Sequence, residues 1–264
     1  MTHIPDAPAD TRMMGIVHDA LRRDLERAIA VLSTTPYPAG ARQAAIGGHI
    51  SWMMGFLDAH HHSEDAGLWP LVRTRNPEAA PLMNALEADH ARIAPLLDAC
   101  DTAARDYRTG TTDTSRVELL DAVRRLGEVL LPHLRQEEDE LLPIVSVAIT
   151  DTEWRALEKQ YNLEPKSLAQ LGFEGHWLLD GLDRERRRVV VHLVAPTARF
   201  VLVHGFGRRY RRRAAVCWGP PGPKAYGPAP ALPRTIPSGC RRCPQSSGTT
   251  SPAAGPIPTR RWQA

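Results

Sequence analysis

Apolar residues recur at steps of three and four along most of the first 150 residues, the spacing that places them on one face of an α-helix. Clusters of Pro and Gly separate these periodic stretches and predict the turns between them. No stretch alternates between apolar and polar residues over a length that would predict a β-strand. The four long helices are predicted at about 11–33, 41–69, 82–108 and 115–148, the second of them stopping at Pro70.

Four long helices joined by short connections are typical of a helical bundle, most simply with up-down-up-down order. The composition agrees with this prediction, because 42% hydrophobic and 24% charged residues are ordinary for a soluble globular protein. Aromatic residues make up only 6% of the chain, which favours a helical core over a β-sandwich or a module that stacks nucleobases. The sequence therefore predicts an all-α fold with a four-helix bundle over residues 11–148.

The chain after the bundle is predicted to have two parts. Thr150 and Glu153 have the spacing of a capping box, so a shorter helix is expected from there to about Tyr161. Beyond residue 213, eleven Pro, six Gly and no acidic residue in 51 positions predict disorder. The two parts are a helical extension at 149–213, with a helix pair near 183–194 and 197–206, and a disordered Pro/Gly-rich tail at 214–264.

Several features bear on where the protein is found. The start of the chain has no basic stretch followed by an apolar run, so no signal peptide is predicted. Four scattered Cys do not form a disulfide framework. The apolar stretch at 189–206 is broken by Pro196, Arg199 and two His, so no transmembrane segment is expected. Together these observations predict a cytoplasmic protein.

The net charge of +3 is the sum of two very different parts. Residues 184–264 contain sixteen Arg or Lys and a single acid, for a net charge of +15, whereas residues 1–183 have 17 basic and 29 acidic residues, for −12. The basic segment 199–213 is interpreted first as a solvated charge run behind a packed helical hairpin. Contact with an anionic surface, a membrane or a nucleic acid, is the alternative, and no specific nucleic acid is predicted.

Each long helix has a histidine on its apolar stripe, and two of these histidines precede a glutamate by four residues. Positions four apart lie on one face, so all these side chains are expected to point into the bundle. Burying such polar groups without partners costs about 1–3 kcal/mol each. A shared metal site removes that cost, and its candidate ligands are His18, His60, Glu64, His90, His133 and Glu137.

The number and depth of these residues distinguish a metal site from ordinary core histidines. One histidine on an apolar helix face is usually a satisfied core residue. Here, however, His90 lies 18 residues before Arg108 near the end of its helix, and His133 lies 18 residues after Ser115 near the start of the next. Antiparallel packing would bring both to one level. Imidazole and carboxylate without thiolate favour iron, manganese or zinc.

The order His, His-x-x-x-Glu, His, His-x-x-x-Glu resembles the hemerythrin-like HHE cation-binding family. The similarity extends to the stretches His60–Pro70 and His133–Pro143 and covers residues 11–148. This resemblance implies a non-haem di-iron centre with an oxo or hydroxo bridge. It also implies that the four histidines are terminal ligands and that Glu64 and Glu137 bridge the two iron ions.

One departure from the family pattern bears on function. Oxygen-carrying hemerythrins have a second histidine four residues after the one on the third helix, where this chain has Ala94. With six protein ligands and a bridging oxygen, about two of twelve coordination positions would stay open. This favours redox chemistry on O₂ or peroxide, including catalase-like turnover, or sensing, over oxygen storage. His61 and Glu87 remain open as further ligands, His61 being more simply interpreted as facing a neighbouring helix or solvent.

Two other functions remain open. The chain could be an iron- or oxygen-responsive regulatory module without turnover, in which metal occupancy orders the bundle and the basic tail conveys that state to a partner. It could also be a metal-free bundle used for association. No phosphate-binding loop, dinucleotide fingerprint or nucleophile–base pair points to another enzyme class.

Overall fold

The computed structural model describes residues 7–192, 205 and 207–219. These residues are mainly α-helical and contain no β-strand, as the periodicity predicts. Among their helices, none is both long and apolar enough to cross a bilayer. The helices are α1 (Arg12–Ser33), α2 (Gly40–Ser63), α3 (Trp69–Arg75), α4 (Ala80–Thr109), α5 (Asp113–Gln136), α6 (Leu142–Ala148), α7 (Asp151–Leu157), α8 (Leu168–Leu179), α9 (Arg184–His192) and α10 (Gly207–Trp218), with π-helical turns at Glu64–Leu68, Glu137–Leu141 and Glu158–Leu163.

Helices α1, α2, α4 and α5 form a helical bundle. Helix α2 packs along α4, α4 along α5, and α5 along α1. The apolar stripes that the sequence predicts are buried between them, including Leu21, Leu97 and Leu130. Full burial of such a side chain contributes about 1.5–3 kcal/mol, so the stripes account for much of the driving force that holds these helices together.

The predicted stop at Pro70 is wrong, because helical structure continues through this residue to Arg75. A π-helical turn ends at Leu68, and Pro70 lies in the first turn of α3. Proline has no backbone N–H and so removes one hydrogen bond, at a place where the π-helical turn already interrupts the regular α-helical pattern. The capping box of Thr150 and Glu153 is confirmed at the start of α7.

Helix α8 attaches the extension to the bundle, and the sequence periodicity did not predict it. Its sequence contains two glycines and is apolar on most of its surface, so it shows no clear amphipathic stripe. Trp177 is fully buried on α8 and packs edge-on against Trp52 and Phe56 of α2, with ring centroids 5.2 and 4.7 Å away. The extension is therefore part of the same core as the bundle.

A buried ion network strengthens this attachment. The carboxylate of Asp24 on α1 accepts hydrogen bonds from Arg23 at 2.9 Å, from Nε2 of His49 at 2.7 Å and from Nε1 of Trp177 at 2.8 Å. Burial alone would raise the pKa of Asp24, but Arg23 and His49 lower it below the usual value. Asp180, at the end of α8, joins the network by accepting hydrogen bonds from α1 and α10. One buried carboxylate therefore connects α1, α2 and α8.

The helical extension ends later than the sequence predicts, because of helix α10. It continues to Trp218, five residues into the range predicted to be disordered, because Tyr210 and Cys217 are buried against the bundle and α8. The basic residues around them lie on a helix with one apolar face. Helix α9 covers most of the predicted 183–194 helix. The predicted 197–206 helix, apart from residue 205, and the rest of the tail from 220 onward fall outside the described residues.

The contact between α2 and α4 depends on Gly47. A Cβ atom there would lie 2.5 Å from Cγ of Arg108 and 2.6 Å from the backbone oxygen of Ala104, too close for either. We expect Gly47→Ala to lower the free energy of unfolding by about 1–3 kcal/mol, because the two helices must separate. The matched control Gly127→Ala, whose Cβ would meet nothing within 4 Å, is expected to raise it by about 0.5–1 kcal/mol. Urea denaturation measures both, and equal effects would contradict this packing.

Candidate metal centre

The structure brings the predicted ligands together inside the bundle, although they come from four separate helices. Each of the six side chains is buried, with at most 6% of its surface exposed. Helix α1 contributes one histidine, α2 and the turn after it contribute a histidine and a glutamate, α4 contributes one histidine, and α5 and its following turn contribute the last pair. These residues are His18, His60, Glu64, His90, His133 and Glu137.

Their ligand atoms fall into two adjacent groups. Within each group, every residue offers one nitrogen or oxygen atom that lies within 4.8 Å of the corresponding atoms of the others. The second group includes His61, which the sequence left as an open candidate and favoured as facing a neighbour or solvent. The groups are His18, His60, Glu64 and Glu137 in the first, and His61, His90 and His133 in the second.

The two carboxylates belong to the first group and also approach histidines of the second. Their oxygens are 3.3–3.6 Å from the nearest imidazole nitrogens, which is longer than a good hydrogen bond. Donors about 2.1 Å from a shared ion are about 3 Å apart, so this spacing suits common coordination better than direct pairing. The distances are His18–Glu137 3.3 Å, His133–Glu137 3.3 Å, His60–Glu64 3.4 Å and His90–Glu64 3.6 Å.

Buried polar atoms without partners are concentrated at this place. In the described part of the chain, twelve buried side-chain nitrogen or oxygen atoms have no hydrogen bond, and eight of them belong to these two groups. Leaving such atoms unpaired costs about 1–3 kcal/mol each. The eight atoms are Nε2 of His18, His60 and His61, Nδ1 of His133, and both carboxylate oxygens of Glu64 and of Glu137.

Burial also sets the protonation states in a way that suits metal binding. It lowers the pKa of His60 and of His61 well below the usual value, and neighbouring imidazoles lower both further. Burial, with repulsion from His90 and His18, lowers the pKa of His133 to about 3. These imidazoles are therefore neutral at pH 7 and have lone pairs available for a metal.

The pKa values of the two glutamates are shifted upward, in contrast to those of the histidines. Burial raises the pKa of Glu64 well above its usual value, and the nearby Glu137 raises it further. Burial likewise raises the pKa of Glu137, with a contribution from Glu138. Two carboxylates so close together cannot both be charged without a compensating cation, which is the role a metal ion would have.

Carboxylates behind the histidines fix the orientation of two rings. Nδ1 of His90 donates to Asp65 at 2.8 Å, and Nδ1 of His18 donates to Glu138 at 2.9 Å. Glu138 is itself held by Arg22 at 2.8 Å.

With the proton on Nδ1, the Nε2 lone pair of each neutral ring faces the site, the arrangement found behind metal-binding histidines. Nε2 of His18 lies 3.3 Å from Glu137, and Nε2 of His90 lies 3.2 Å from Nε2 of His133 and 3.6 Å from Glu64.

Both bridging candidates begin a π-helical turn. The N–H of Trp69 donates to the carbonyl of Glu64, and the N–H of Leu142 donates to the carbonyl of Glu137, each five residues apart instead of four. A π-helical turn widens the helix and is frequent at functional sites. Tyr161 of the extension packs over the first turn and donates to the carbonyl of Ala66 at 3.2 Å. Each of the two glutamates therefore begins a locally widened segment of helix.

The two further candidates, His61 and Glu87, have clear positions. His61 is 6% exposed and stacks on His90 with ring centroids 4.1 Å apart, whereas His62 is exposed. Two consecutive residues can both face the interior because the buried face of a helix spans 100° or more. Glu87 lies on the surface and pairs with Arg73 at 2.7 Å, so it does not join the cluster.

A comparison with known proteins agrees with this geometry. The family model described as the hemerythrin HHE cation-binding domain matches residues 4–145, slightly more than half of the chain. The match includes all seven residues of the two donor groups. No curated protein and no solved structure matches the chain.

Proposed function

The chain belongs to the hemerythrin HHE cation-binding domain family, and on that premise we propose that it is a non-haem di-iron protein that acts on or senses O₂ or peroxide. The observation that carries this proposal is the set of eight unpartnered nitrogen and oxygen atoms in the two donor groups. Imidazoles and carboxylates without thiolate fit iron. The six predicted residues are proposed as ligands, with His61 as a seventh.

The donor set supports a pair of unequal ions. One ion would be held by the imidazoles of His61, His90 and His133, and the other by those of His18 and His60. Glu64 and Glu137 would serve both ions. Such a pair supplies one electron from each iron, which suits the binding or reduction of O₂ and peroxide.

Adding His61 changes the expected number of open positions. Five imidazoles, two bridging carboxylates and one oxo or hydroxo bridge would leave about one of twelve positions, where the six-residue set left about two. That position would belong to the ion held by the two imidazoles of His18 and His60. We therefore propose reversible O₂ binding, in addition to peroxide chemistry, as an activity of this site.

The chain's own residues have defined tasks around this pair. Asp65 and Glu138 accept hydrogen bonds from Nδ1 of His90 and of His18. The lone pair on Nε2 of each neutral ring is then available to a metal ion. Arg22 balances the charge of Glu138, and the pKa of Glu138 falls below its usual value because the hydrogen bonds from His18 and Arg22 outweigh the effect of burial. The seven side chains of the two donor groups are each at most 6% exposed, which limits the access of bulk water to the site.

Replacing His61 tests its place among the ligands. We expect His61→Ala to weaken the binding of at least one iron by about 10-fold to 100-fold, since a lost ligand should matter no less than a lost supporting group. His62→Ala is the matched control, because that neighbouring ring is exposed. Competition with a calibrated chelator measures both variants. Equal iron affinity in the two variants would exclude His61.

A regulatory role is the second candidate, because the extension contacts the elements that hold the ligands. Trp177 reaches Asp24 on the helix of His18, and Tyr161 covers the turn that begins at Glu64. Loss of metal would therefore loosen the extension. Limited proteolysis should cut residues 151–213 faster in the metal-free protein. Equal protection with and without metal would remove this candidate.

The redox proposal is tested by mixing the ferrous-loaded full-length protein with O₂ or hydrogen peroxide. We expect a near-ultraviolet absorption change that depends on bound iron, and oxygen release from peroxide if the protein turns over like a catalase. A spectral change without oxygen release would assign sensing in place of turnover. No spectral change with either oxidant, in protein that holds iron, would contradict the proposal.

A further inference from the structure

A cavity of about 140 Å³ lies between the bundle and the extension, next to the candidate metal centre. One wall comes from α1 and α2 and ends at His60 and Ser63. The opposite wall comes from α8, α9 and the segment before them, all beyond residue 145, where the family match ends. The apolar lining residues are Met13, Met14, Val17, Phe56, Leu163, Leu171, Leu178, Leu179, Val190 and Val191.

The size of this cavity suits a small organic molecule better than a diatomic gas. An engineered apolar cavity of about 150 Å³ accommodates benzene. Most of the lining surface is apolar, and it includes the ring of Phe56, which has the Lys166 ammonium 5.2 Å from its centroid. A guest with about six to eight non-hydrogen atoms therefore fits the volume and the apolar walls.

The polar groups of the cavity limit the guest further. Lys166 and Glu174 form an ion pair at 2.7 Å and satisfy each other. Glu158 also lines the cavity, and within the described residues no hydrogen bond or ion pair joins its carboxyl to another side chain. Glu158 is half-buried, and its removal from water raises the pKa of the carboxyl to about 7 against the opposing effect of Lys166 and Arg155. At that pH the carboxyl is therefore neutral in part of the molecules and charged in the rest.

Nε2 of His60 and the side-chain amide of Asn162 also line the cavity without a hydrogen bond in the described residues. Among the lining residues, Glu158 is the carboxyl outside an ion pair, and no lining cation is unpaired.

We propose that this cavity, the chamber, binds a small neutral molecule. The molecule has an apolar body the size of one ring and one hydrogen-bond donor, which bonds to Glu158. A phenol is the simplest member of this class. An anionic guest is disfavoured, because it would lose its hydration among apolar walls without a free positive charge. A cationic guest would find an opposite charge only in the molecules in which Glu158 is ionised.

The chamber also gives such a guest a position beside the metal site. His60 lines its inner end, and Glu158 lines a second, smaller cavity that reaches Glu64. A guest would therefore lie against the half of the site that has two imidazoles. Its role as a substrate or effector rests on the proposed di-iron function, but binding in the chamber does not.

Gly175 provides a way to fill the chamber without disturbing the fold. It lines the chamber on α8, and a Cβ there would meet no atom within 4 Å. Replacing a helical glycine also favours the helix. Gly175→Leu should occupy the space, while Gly175→Ala adds one methyl group and is the matched control. Glu158→Leu removes the hydrogen-bonding group and keeps the volume close to that of the original side chain.

The experiment is calorimetric titration of purified full-length protein with phenol, toluene and benzylamine, with metal content measured on the same sample. We expect phenol to bind with a Kd on the order of 0.1–1 mM, and toluene and benzylamine about tenfold more weakly. Phenol binding should weaken at least tenfold in Gly175→Leu and stay within about threefold in Gly175→Ala. Glu158→Leu should bind phenol only as well as toluene.

Several results would overturn the proposal. If Gly175→Leu binds phenol with unchanged affinity, phenol binds outside the chamber. Equal affinity for phenol and toluene would remove the role of Glu158, and tighter binding of benzylamine would replace a neutral guest with a cation. If protein that holds two irons does not bind phenol, the proposed binding site is wrong and the di-iron function stands. If protein that cannot hold iron binds phenol, the binding site stands and the di-iron function is wrong.

Discussion

Replacing Glu137 by Gln is expected to abolish most metal binding, lowering the content from about two ions per chain to well below one after dialysis. Glu137 approaches His18 and His133 at 3.3 Å each and so connects the two donor groups. Gln has nearly the same shape but no charge, so both ions would lose a shared anionic donor. Since changes behind the ligands already cost 10-fold to 100-fold in affinity, we expect a larger loss here.

Glu140→Gln is the matched control for this variant. Glu140 lies on the same π-helical turn but is exposed, so its replacement removes the same charge from the chain without touching the donor groups. We expect it to retain two ions. Circular dichroism of both variants checks that the helices remain. Full metal content in Glu137→Gln would show that this carboxylate is not a ligand.

The second large effect is expected from Asp24→Asn, which should lower the free energy of unfolding by about 3–5 kcal/mol. Asp24 is fully buried, and the variant leaves the guanidinium of Arg23 in the core without its counter-charge. It also weakens the hydrogen bonds from His49 and Trp177 that join α2 and α8 to α1. Urea denaturation at pH 7 measures the difference.

The pH dependence identifies the source of this loss. The pKa of Asp24 is lowered in the folded protein, so its stabilising effect is complete above the ordinary aspartate pKa of about 3.9 and is lost as the pH falls below it. The deficit of Asp24→Asn should therefore be full at pH 7 and shrink in acid. Asp121→Asn, which breaks an exposed ion pair with Arg125, should cost less than about 1 kcal/mol. Similar losses in both variants would contradict the importance of the buried network.

Much of the bundle could be predicted from the sequence because periodicity reports directly on burial. The stripes that contain His18, His60, His90 and His133 are buried as predicted, and the glutamates four residues after two of them meet in the interior. The spacing of four residues is a local property of a helix, so it requires no knowledge of tertiary structure. The up-down-up-down order stays a prediction.

The parts that the sequence did not predict depend on tertiary contacts. His61 lies one residue past a predicted ligand, and only the packing of α2 against α4 brings its ring onto His90. Helix α8 has glycines and no clear polar face, so its position is determined by the pocket for Trp177. The continuation of α10 likewise depends on the burial of Tyr210 and Cys217.

The π-helical turns show where local rules mislead. Pro70 predicts the end of a helix, and the sequence gives no local reason for the extra residue in the turn before it. The same spacing, a glutamate followed six residues later by proline, occurs at Glu64–Pro70 and at Glu137–Pro143. This repetition within one chain is the sequence pattern that could have indicated the widened turns.

The most direct test is the metal content of the full-length protein, measured by mass spectrometry after anaerobic loading with ferrous iron and removal of the excess. A di-iron centre predicts about two irons per chain, together with near-ultraviolet charge-transfer bands after exposure to air. A chain that binds no metal after loading, or that holds a single zinc ion and cannot take up iron, would contradict the centre described here.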